Sequence, residues 1–440
     1  MTQVFSTYEI IDKKKRAQDL STEEIKWFID GYLKKTIPDY QMSAFLMAVY
    51  FQGMSVTELA ALTDSMLYSG KTINFTDPTV VDKHSTGGIG DKASFILAPI
   101  AAAAGVKIPM VAGRSLGFTG GTIDKIEAIK GFKTQMPLDE FKNMVTKRGL
   151  VLIGQTEEIA PADKLIYALR DVTATIDSIP LITASIMSKK LAEGARGIVM
   201  DIKVGHGAFM KKIKDARALA KSIIATAKRF DRKCTAIISD MNQPLGFAVG
   251  NSLEIIESIE TLKGRGPADL ELLSVELAGQ MIYLGGIAKT PAEGIKKAQA
   301  VLKSGKALEK FREMIKNQGG DERVIGNYDL LPLAKVKTDV LSEKSGYVQS
   351  FENQAIGQYL NEIGGGRKVK TDKIDFGVGF YFHKKVGDPV KKGEKLLTIY
   401  HNENQKAQIQ DLKKIFTKEI IKVSAKKVKA LKVIIEKIGK

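Results

Sequence analysis

Cysteine is almost absent from this chain. Cys234 is the one thiol in 440 residues, which excludes an internal disulfide and any zinc site built on clustered cysteines. Long apolar runs are missing as well. The longest nearly apolar stretch, residues 95–106, is interrupted by Pro99 and is too short to cross a bilayer. No segment near Met1 has the apolar centre of a secretory signal. There is no internal repeat and no long low-complexity linker. Aromatic side chains are scarce where positive charge is densest: residues 406–440 carry 11 lysines against 3 acids, but Phe416 is their only ring. A nucleic-acid channel interleaves basic residues with stacking rings, so the charge alone does not point to one. The expectation is a cytoplasmic, thiol-neutral protein with no nucleic-acid or membrane partner.

What is present is ordinary for a folded protein. Apolar residues make up 44% and charged residues 27%, which rules out disorder as the main description. Lys plus Arg is 67 and Asp plus Glu is 50, a net of 67 − 50 = +17. About half of that excess, 11 − 3 = +8, lies in residues 406–440. There Val423, Val428, Leu431, Ile434 and Ile435 recur at near-helical spacing, which predicts one packed side and a solvated basic face. A positive field of this kind also attracts anionic substrates.

The first 70 residues read as a helical lobe. Ser21 with Glu24 and Ser55 with Glu58 are capping-box patterns. Ile25, Phe28, Ile29 and Tyr32 form one apolar face, and residues 40–51 form another helix after Pro38. Strand-like runs then alternate with helices: 107–112, 151–153, 198–204 and 234–239, with a helix over 208–230 between the last two. That alternation predicts a mainly parallel α/β sheet. Helices over 161–170 and 180–191 interrupt it and are assigned to the first lobe. Beyond Pro332 short β-type runs predominate. The expected architecture is α/β: a helical domain (1–70 plus 161–193), an α/β phosphate-binding domain (71–160 plus 194–335) and a smaller, β-rich α+β domain (336–440).

Three clusters carry chemistry. The first, Asp82-Lys83-His84-Ser85-Thr86-Gly87-Gly88-Ile89-Gly90, follows a strand and opens a helix that begins near Ser94. Glycines there let backbone N–H groups close on an anion, and a helix N-terminus favours negative charge. Lys83 adds a point charge, and Ser85 and Ser94 add hydroxyl donors. The spacing fits neither the P-loop nor the dinucleotide fingerprint. The second cluster, Gly113-Arg114-Ser115-Leu116-Gly117-Phe118-Thr119-Gly120-Gly121-Thr122, repeats the strand–glycine loop–helix logic, with Thr122 placed to cap the next helix. The third joins Arg170 to Ser185 and Lys189, which are four apart and so share a helix face. Arg, Ser and Lys on one surface can grip a planar ring bearing carbonyl oxygens and an N–H.

The segments Lys83-His84-Ser85-Thr86-Gly87-Gly88, Thr119-Gly120-Gly121-Thr122-Ile123-Asp124-Lys125 and Ser178-Ile179-Pro180-Leu181-Ile182-Thr183-Ala184-Ser185 resemble those of the pyrimidine-nucleoside and thymidine phosphorylase family. Val204-Gly205-His206-Gly207-Ala208-Phe209-Met210 and Ser239-Asp240-Met241-Asn242-Gln243-Pro244-Leu245-Gly246 extend the likeness over nearly the whole chain. The resemblance implies reversible phosphorolysis of a pyrimidine nucleoside to free base and α-pentose-1-phosphate. It implies that Lys83, Ser85, Ser94 and Thr122 hold phosphate, that Arg170, Ser185 and Lys189 hold the base, and that His84 reaches the base O2. Leu116, Ile176, Ile186 and Phe209 line the apolar part of the base pocket, and His84, Arg170 and Lys189 are the catalytic set. No cofactor or metal is implied beyond phosphate as co-substrate, and a homodimer through the helical domain is.

The chain departs from that pattern in places. Ala112-Gly113-Arg114-Ser115 stands where the family usually has Ser-Gly-Arg-Gly, so Ser115 is expected to replace part of a lost hydroxyl. Phe118 stands where His is common, and His206 where a small residue is common. Some bacterial members hold a monovalent cation near the first glycine loop; Lys92 stands where they have Thr, and its ammonium is expected to face Glu257 across the turn at residues 245–248 in place of the ion. The features lean to a broad enzyme acting on uridine, thymidine and deoxyuridine, with a strict thymidine phosphorylase as the alternative. An anthranilate-type phosphoribosyltransferase and a non-enzymatic nucleic-acid-binding protein are remote alternatives: the first leaves the base-gripping set without a purpose, the second leaves both glycine loops unexplained.

Overall fold

The computed structural model of the protein describes residues 5–115, 117–369 and 371–439. Four helices come first: α1 (Thr7–Lys15), α2 (Thr22–Leu33), α3 (Asp39–Gln52) and α4 (Val56–Leu67). Both expected capping boxes form. Ser21 and Ser55 each accept from the backbone of a glutamate three residues on, and that glutamate returns a bond to the serine N–H, a device whose loss costs about 1 kcal/mol. Glu58 serves twice, because its buried carboxylate also accepts both bonds of the Lys14 ammonium at 2.8 and 2.9 Å and so ties α1 to α4.

The α/β part follows: β1 (Val81–Ser85), α5 (Ser94–Ala103), β2 (Ile108–Ala112), α6 (Thr122–Ile126), α7 (Leu138–Arg148) and β3 (Leu150–Gly154). Then α8 (Pro161–Val172) and α9 (Ile179–Ala192) intervene before β4 (Gly197–Val204), α10 (Ile213–Arg229) and β5 (Lys233–Asp240). Strands β1, β4 and β5 pair in parallel, as do β2 and β3. A parallel bridge from Val80 to Lys107 joins the two sets. The strand β4 is buried along its whole length, as expected for a parallel strand covered on both faces.

Alanines and leucines of α8 and α9 decide where those helices go. Ala162, Ile166, Leu181 and Ala184 enter the same apolar core as Ile25, Phe28, Phe45 and Leu62. The second half of α9 (Ile186, Met187, Leu191, Ala192) packs instead against Ile198, Met200 and Ile202 of the sheet. One helix therefore belongs to two cores and spans the junction between them.

A short strand β6 (Ala248–Val249) precedes α11 (Asn251–Leu262) and α12 (Ala268–Leu284). The remainder contains β7 (Val336–Leu341), β8 (Gly346–Phe351), β9 (Gly379–Phe382), β10 (Pro389–Val390), β11 (Lys395–His401), β12 (Ile421–Ser424) and β13 (Ile434–Ile438). All but β13 join with β6 in two antiparallel sheets, ordered β6-β9-β11-β7 and β10-β8-β12. The expected helical face over Val423–Ile435 does not form. Val423 lies in β12 against β8, and Ile434 and Ile435 lie in β13, which returns to pair antiparallel with β5. Alternation of β-branched residues with lysine suits a half-buried edge strand once a partner is available. Among the described residues, no helix is long and apolar enough to cross a membrane.

Candidate active site

The first two sequence clusters follow the ends of β1 and β2, and the third lies on α8 and α9, the second half of α9 packing on the sheet. The carboxyl ends of parallel strands are where open α/β sheets hold ligands. Alternation along β1 sends Asp82 and His84 to one face and Lys83 and Ser85 to the other. On the second face the Lys83 ammonium donates to Ser94 Oγ at 3.4 Å and lies 4.0 Å from Asp201 Oδ2. Ser85 Oγ donates to Asp91 Oδ2 at 2.5 Å and accepts from the Gly87 N–H at 3.1 Å, closing the first glycine loop on itself. No side chain caps α5, whose N-terminus opens beside Ser94.

Buried charge underlies this loop. Lys203 pairs with Asp201 at 2.6 Å and lies 3.9 Å from Asp91, while Ser239 Oγ donates to Asp201 at 2.5 Å. Lysines 203, 83 and 125 hold the Asp91 carboxyl far below the usual carboxylate range against the opposing effect of burial. Lys125 donates to the Asp91 carbonyl at 2.9 Å and pairs with Glu254 at 2.7 Å, so the helix after the second glycine loop grips the first loop directly. The loops also touch at Gly87, where an added Cβ would sit 3.6 Å from Thr119 Oγ1.

Thr122 is the first residue of α6, not its cap. Gly121 occupies the N-cap in extended conformation and no side chain closes that end. The second loop is anchored by acids instead: Asp124 accepts from the Ser115 N–H at 2.7 Å, from Arg114 at 3.0 Å and from Arg367 at 2.8 Å. The Arg367 bond and the Asn361 bond to the Gly117 carbonyl bring residues beyond β8 onto this loop. Sequence reading missed both, because neither sits in a motif. Phe118 and Phe209 place their rings 5.7 Å apart, with the Lys211 ammonium 5.6 Å from the Phe118 ring. Leu116 lies outside the described residues. His206 is exposed on its loop.

Arg170 is 1% exposed. Its Nε, Nη1 and Nη2 donate to the carbonyls of Thr175, Leu181 and Ile176 at 3.2, 3.1 and 2.6 Å, binding the segment between α8 and α9. Burial brings its pKa down to about 10, so it remains a cation at neutral pH. Lys189 donates to Ser185 Oγ at 2.9 Å and pairs with Asp163. Ser185 and Ile186 are buried. His84 is driven well below the ordinary imidazole pKa by burial first, then by Lys190, Lys189 and Lys83. At neutral pH its ring is uncharged.

Lys92 meets the expectation set for it. Its fully buried ammonium donates to Glu257 Oε2 at 2.6 Å and to the carbonyls of Leu245 and Ala248, both at 2.8 Å. Two glycines permit the approach. Gly90 (φ +70°) would place a Cβ 2.7 Å from the Leu245 carbonyl, and Gly246 (φ +69°) one 2.3 Å from Glu257 Oε2, contacts no other residue could make. Among the described residues, no group of three or more His, Cys, Asp and Glu side chains is placed to hold a metal ion.

Comparison with known proteins places the chain in a family. Residues 77–308 match the α/β domain of a glycosyl transferase family and residues 8–70 its helical bundle domain. Residues 347–419 match the pyrimidine nucleoside phosphorylase C-terminal domain. The pyrimidine-nucleoside phosphorylase of Geobacillus stearothermophilus is 46% identical over 434 residues, covering 98% of this chain and 99% of that one. The enzyme of the same name from Bacillus subtilis (strain 168) is 49% identical over 396 residues, 90% and 92% of the two chains. A crystal structure of anthranilate phosphoribosyltransferase from Thermus thermophilus superposes with a TM-score of 0.59 over 70% of this chain and 99% of that one, at 17% identity, a likeness of fold alone. With identity near one half along almost its full length, the chain belongs to the pyrimidine-nucleoside phosphorylase branch of this glycosyl transferase family.

Proposed function

We propose that the protein is a pentosyltransferase catalysing the reversible phosphorolysis of pyrimidine nucleosides, with uridine, thymidine and deoxyuridine as substrates. The observation that carries this reading is the junction at β1. One strand carries Lys83 and Ser85 beside the first glycine loop and, on its other face, His84, which feels the charges of Lys189 and Lys190 on the helix bearing Ser185. In the reaction a phosphate oxygen forms a bond to C1′ as the C1′–N1 bond breaks. The bonding pair leaves with the base, and the sugar becomes cationic in passing. Lys83, Ser85, Ser94 and Thr122 hold the phosphate, and the loop N–H groups add to its binding. Arg170, Ser185 and Lys189 grip the base, His84 donates to its O2, and Leu116, Ile176, Ile186 and Phe209 line the pocket. A neutral imidazole stabilises the developing negative charge by hydrogen bonding and does not need to give up its proton. Arg170 spends three N–H groups on carbonyls, so it both shapes the α8–α9 segment and offers its remaining two donors to the base.

No metal or organic cofactor is required in this proposal, since phosphate is nucleophile and counter-charge together. The family relationship favours the broad enzyme over the strict thymidine phosphorylase. Tyr8, Tyr40 and Phe51 of the helical lobe are each more than 70% exposed, which favours a homodimer through that lobe, and a cytoplasmic location fits the substrates. The test is phosphate-dependent release of uracil from uridine and of thymine from thymidine. Comparable kcat/KM for both is expected. No release from either nucleoside would overturn the proposal, and release of thymine alone would restrict it to the alternative.

A further inference from the structure

Behind His84 lies a cluster of ionisable groups that the reaction above does not use. Lys190, next in sequence to Lys189, turns inward and is 1% exposed. Its ammonium donates to Asp82 Oδ2 at 2.5 Å, to the Val111 carbonyl at 3.1 Å and to Glu193 Oε2 at 3.1 Å. Asp82 and Glu193 are fully buried, and each has a second oxygen, Asp82 Oδ1 and Glu193 Oε1, without a partner among the described residues. A buried ammonium flanked by two buried carboxyls is costly unless the geometry serves something. Asp82 directly precedes Lys83 and His84. Val111 is the second-last residue of β2, before the second glycine loop. Glu193 follows α9, the helix of Ser185 and Lys189, at the point where its neighbour Ala192 accepts from the Ile73 N–H at 2.7 Å.

We propose that Lys190 is a positioning residue for the reaction: one ammonium, held by Asp82, the Val111 carbonyl and Glu193, fixes the three site-bearing elements β1, β2 and α9 in mutual register. The inference rests on the phosphorolysis reading for what those elements do, but not for how they are held. Burial pushes the Glu193 pKa well up, Lys190 opposes it and the neighbouring Asp82 carboxyl adds to it. The charges acting on His84 are those of Lys190 and Lys189 on α9 and, from the other face of its own strand, Lys83; Asp82 shares its strand face two residues before it and, with Glu193, holds Lys190.

The experiment compares wild type with Lys190→Met and Asp82→Asn. Steady-state kinetics are combined with an NMR titration of the His84 ring, which needs no turnover. Lys190→Met is expected to lower kcat by roughly 10- to 100-fold, the cost of an ångström-scale misplacement, with a smaller change in KM for phosphate. It is also expected to raise the His84 pKa, and Asp82→Asn to lower it, because the charges removed have opposite sign. If Lys190→Met does not accumulate as folded protein, Lys190→Met/Glu193→Leu fills the same space with apolar groups and should move the His84 titration in the same upward direction. A kcat within twofold of wild type overturns the proposal. So does loss of activity with the His84 titration unmoved, which marks a merely structural lysine. Failure of wild type to cleave pyrimidine nucleosides would sink the functional reading, while the opposite shifts of His84 would still report on the cluster.

Discussion

Replacing Lys92 by methionine tests the electrostatics of the first glycine loop. The change keeps the length of the stem and removes the ammonium. Glu257 then stays buried with its charge, retaining the Phe247 and Ala248 N–H groups at 2.9 and 3.1 Å but losing its counter-ion at 2.6 Å. Breaking one side of a buried pair costs about 3–5 kcal/mol. The carbonyls of Leu245 and Ala248 each lose a charged donor, about 1 kcal/mol apiece. These terms overlap, because the same ammonium supplies all three bonds, and the two remaining N–H donors offset part of the sum. A net loss of about 4 kcal/mol is expected, roughly a thousandfold in the folding equilibrium at about 1.4 kcal/mol per decade. Urea unfolding followed by tryptophan fluorescence and circular dichroism measures it. Lys92→Met/Glu257→Leu should recover most of the loss, since no unpaired charge remains. A loss below about 1 kcal/mol for the single variant would refute the reasoning, because a pair this deeply buried cannot be removed so cheaply.

Other outcomes follow from the same geometry. Wild-type turnover in potassium-free buffer should match that in potassium chloride at equal ionic strength; strong activation by potassium would contradict a built-in ammonium. His84→Asn should reduce kcat by about 100-fold through loss of a placed donor, measured by chromatographic separation of released uracil from uridine. His84 also leaves a signature in stability. Its pKa is depressed in the fold, so the unfolded chain takes up its proton first, near about 6.5. The stabilisation is complete above that pH and is lost as pH falls below it, and His84→Gln should flatten this part of the curve. Ser115→Gly should raise the KM for phosphate while leaving that for nucleoside unchanged. Arg170→Lys cannot reproduce three bonds to the carbonyls of residues 175, 176 and 181, and should raise the nucleoside KM and lower kcat together.

The features legible in the sequence were local ones. Ser21 with Glu24 and Ser55 with Glu58 announce helix starts because donor and acceptor lie within one turn. The apolar runs of β4 and β5 stand out because both faces are covered and glycine or turn residues bound them. Lys92 opposite Glu257 could be anticipated from the family resemblance, in which a cation stands near the first glycine loop, and not from the residues alone. What depended on distant partners was not legible. Val423, Ile434 and Ile435 have a spacing that suits a helix, and pairing with β8 and β5 decides otherwise. Thr122 has the composition of a cap, yet the turn places Gly121 there. The carbonyl acceptors of Arg170 have no side-chain signature at all. Lys189 and Lys190 look alike as letters. A rotation of about 100° per residue along α9 leaves one beside Ser185 and Asp163 and sends the other into a buried cluster.

The antiparallel pairing of β13 with β5 has a consequence for biosynthesis. Ile434 is made about 190 residues after Asp240. At translation rates of about 5–20 residues per second that separation is roughly 10–40 s. During that interval β5 exposes a row of unsatisfied N–H and C=O groups, the kind of margin on which another nascent chain can pair. Assembly of the sheet is thus coupled to late emergence of its last strand; once paired, β13 is the sheet's edge, and Lys437 within it and Lys432 beside it discourage further pairing there.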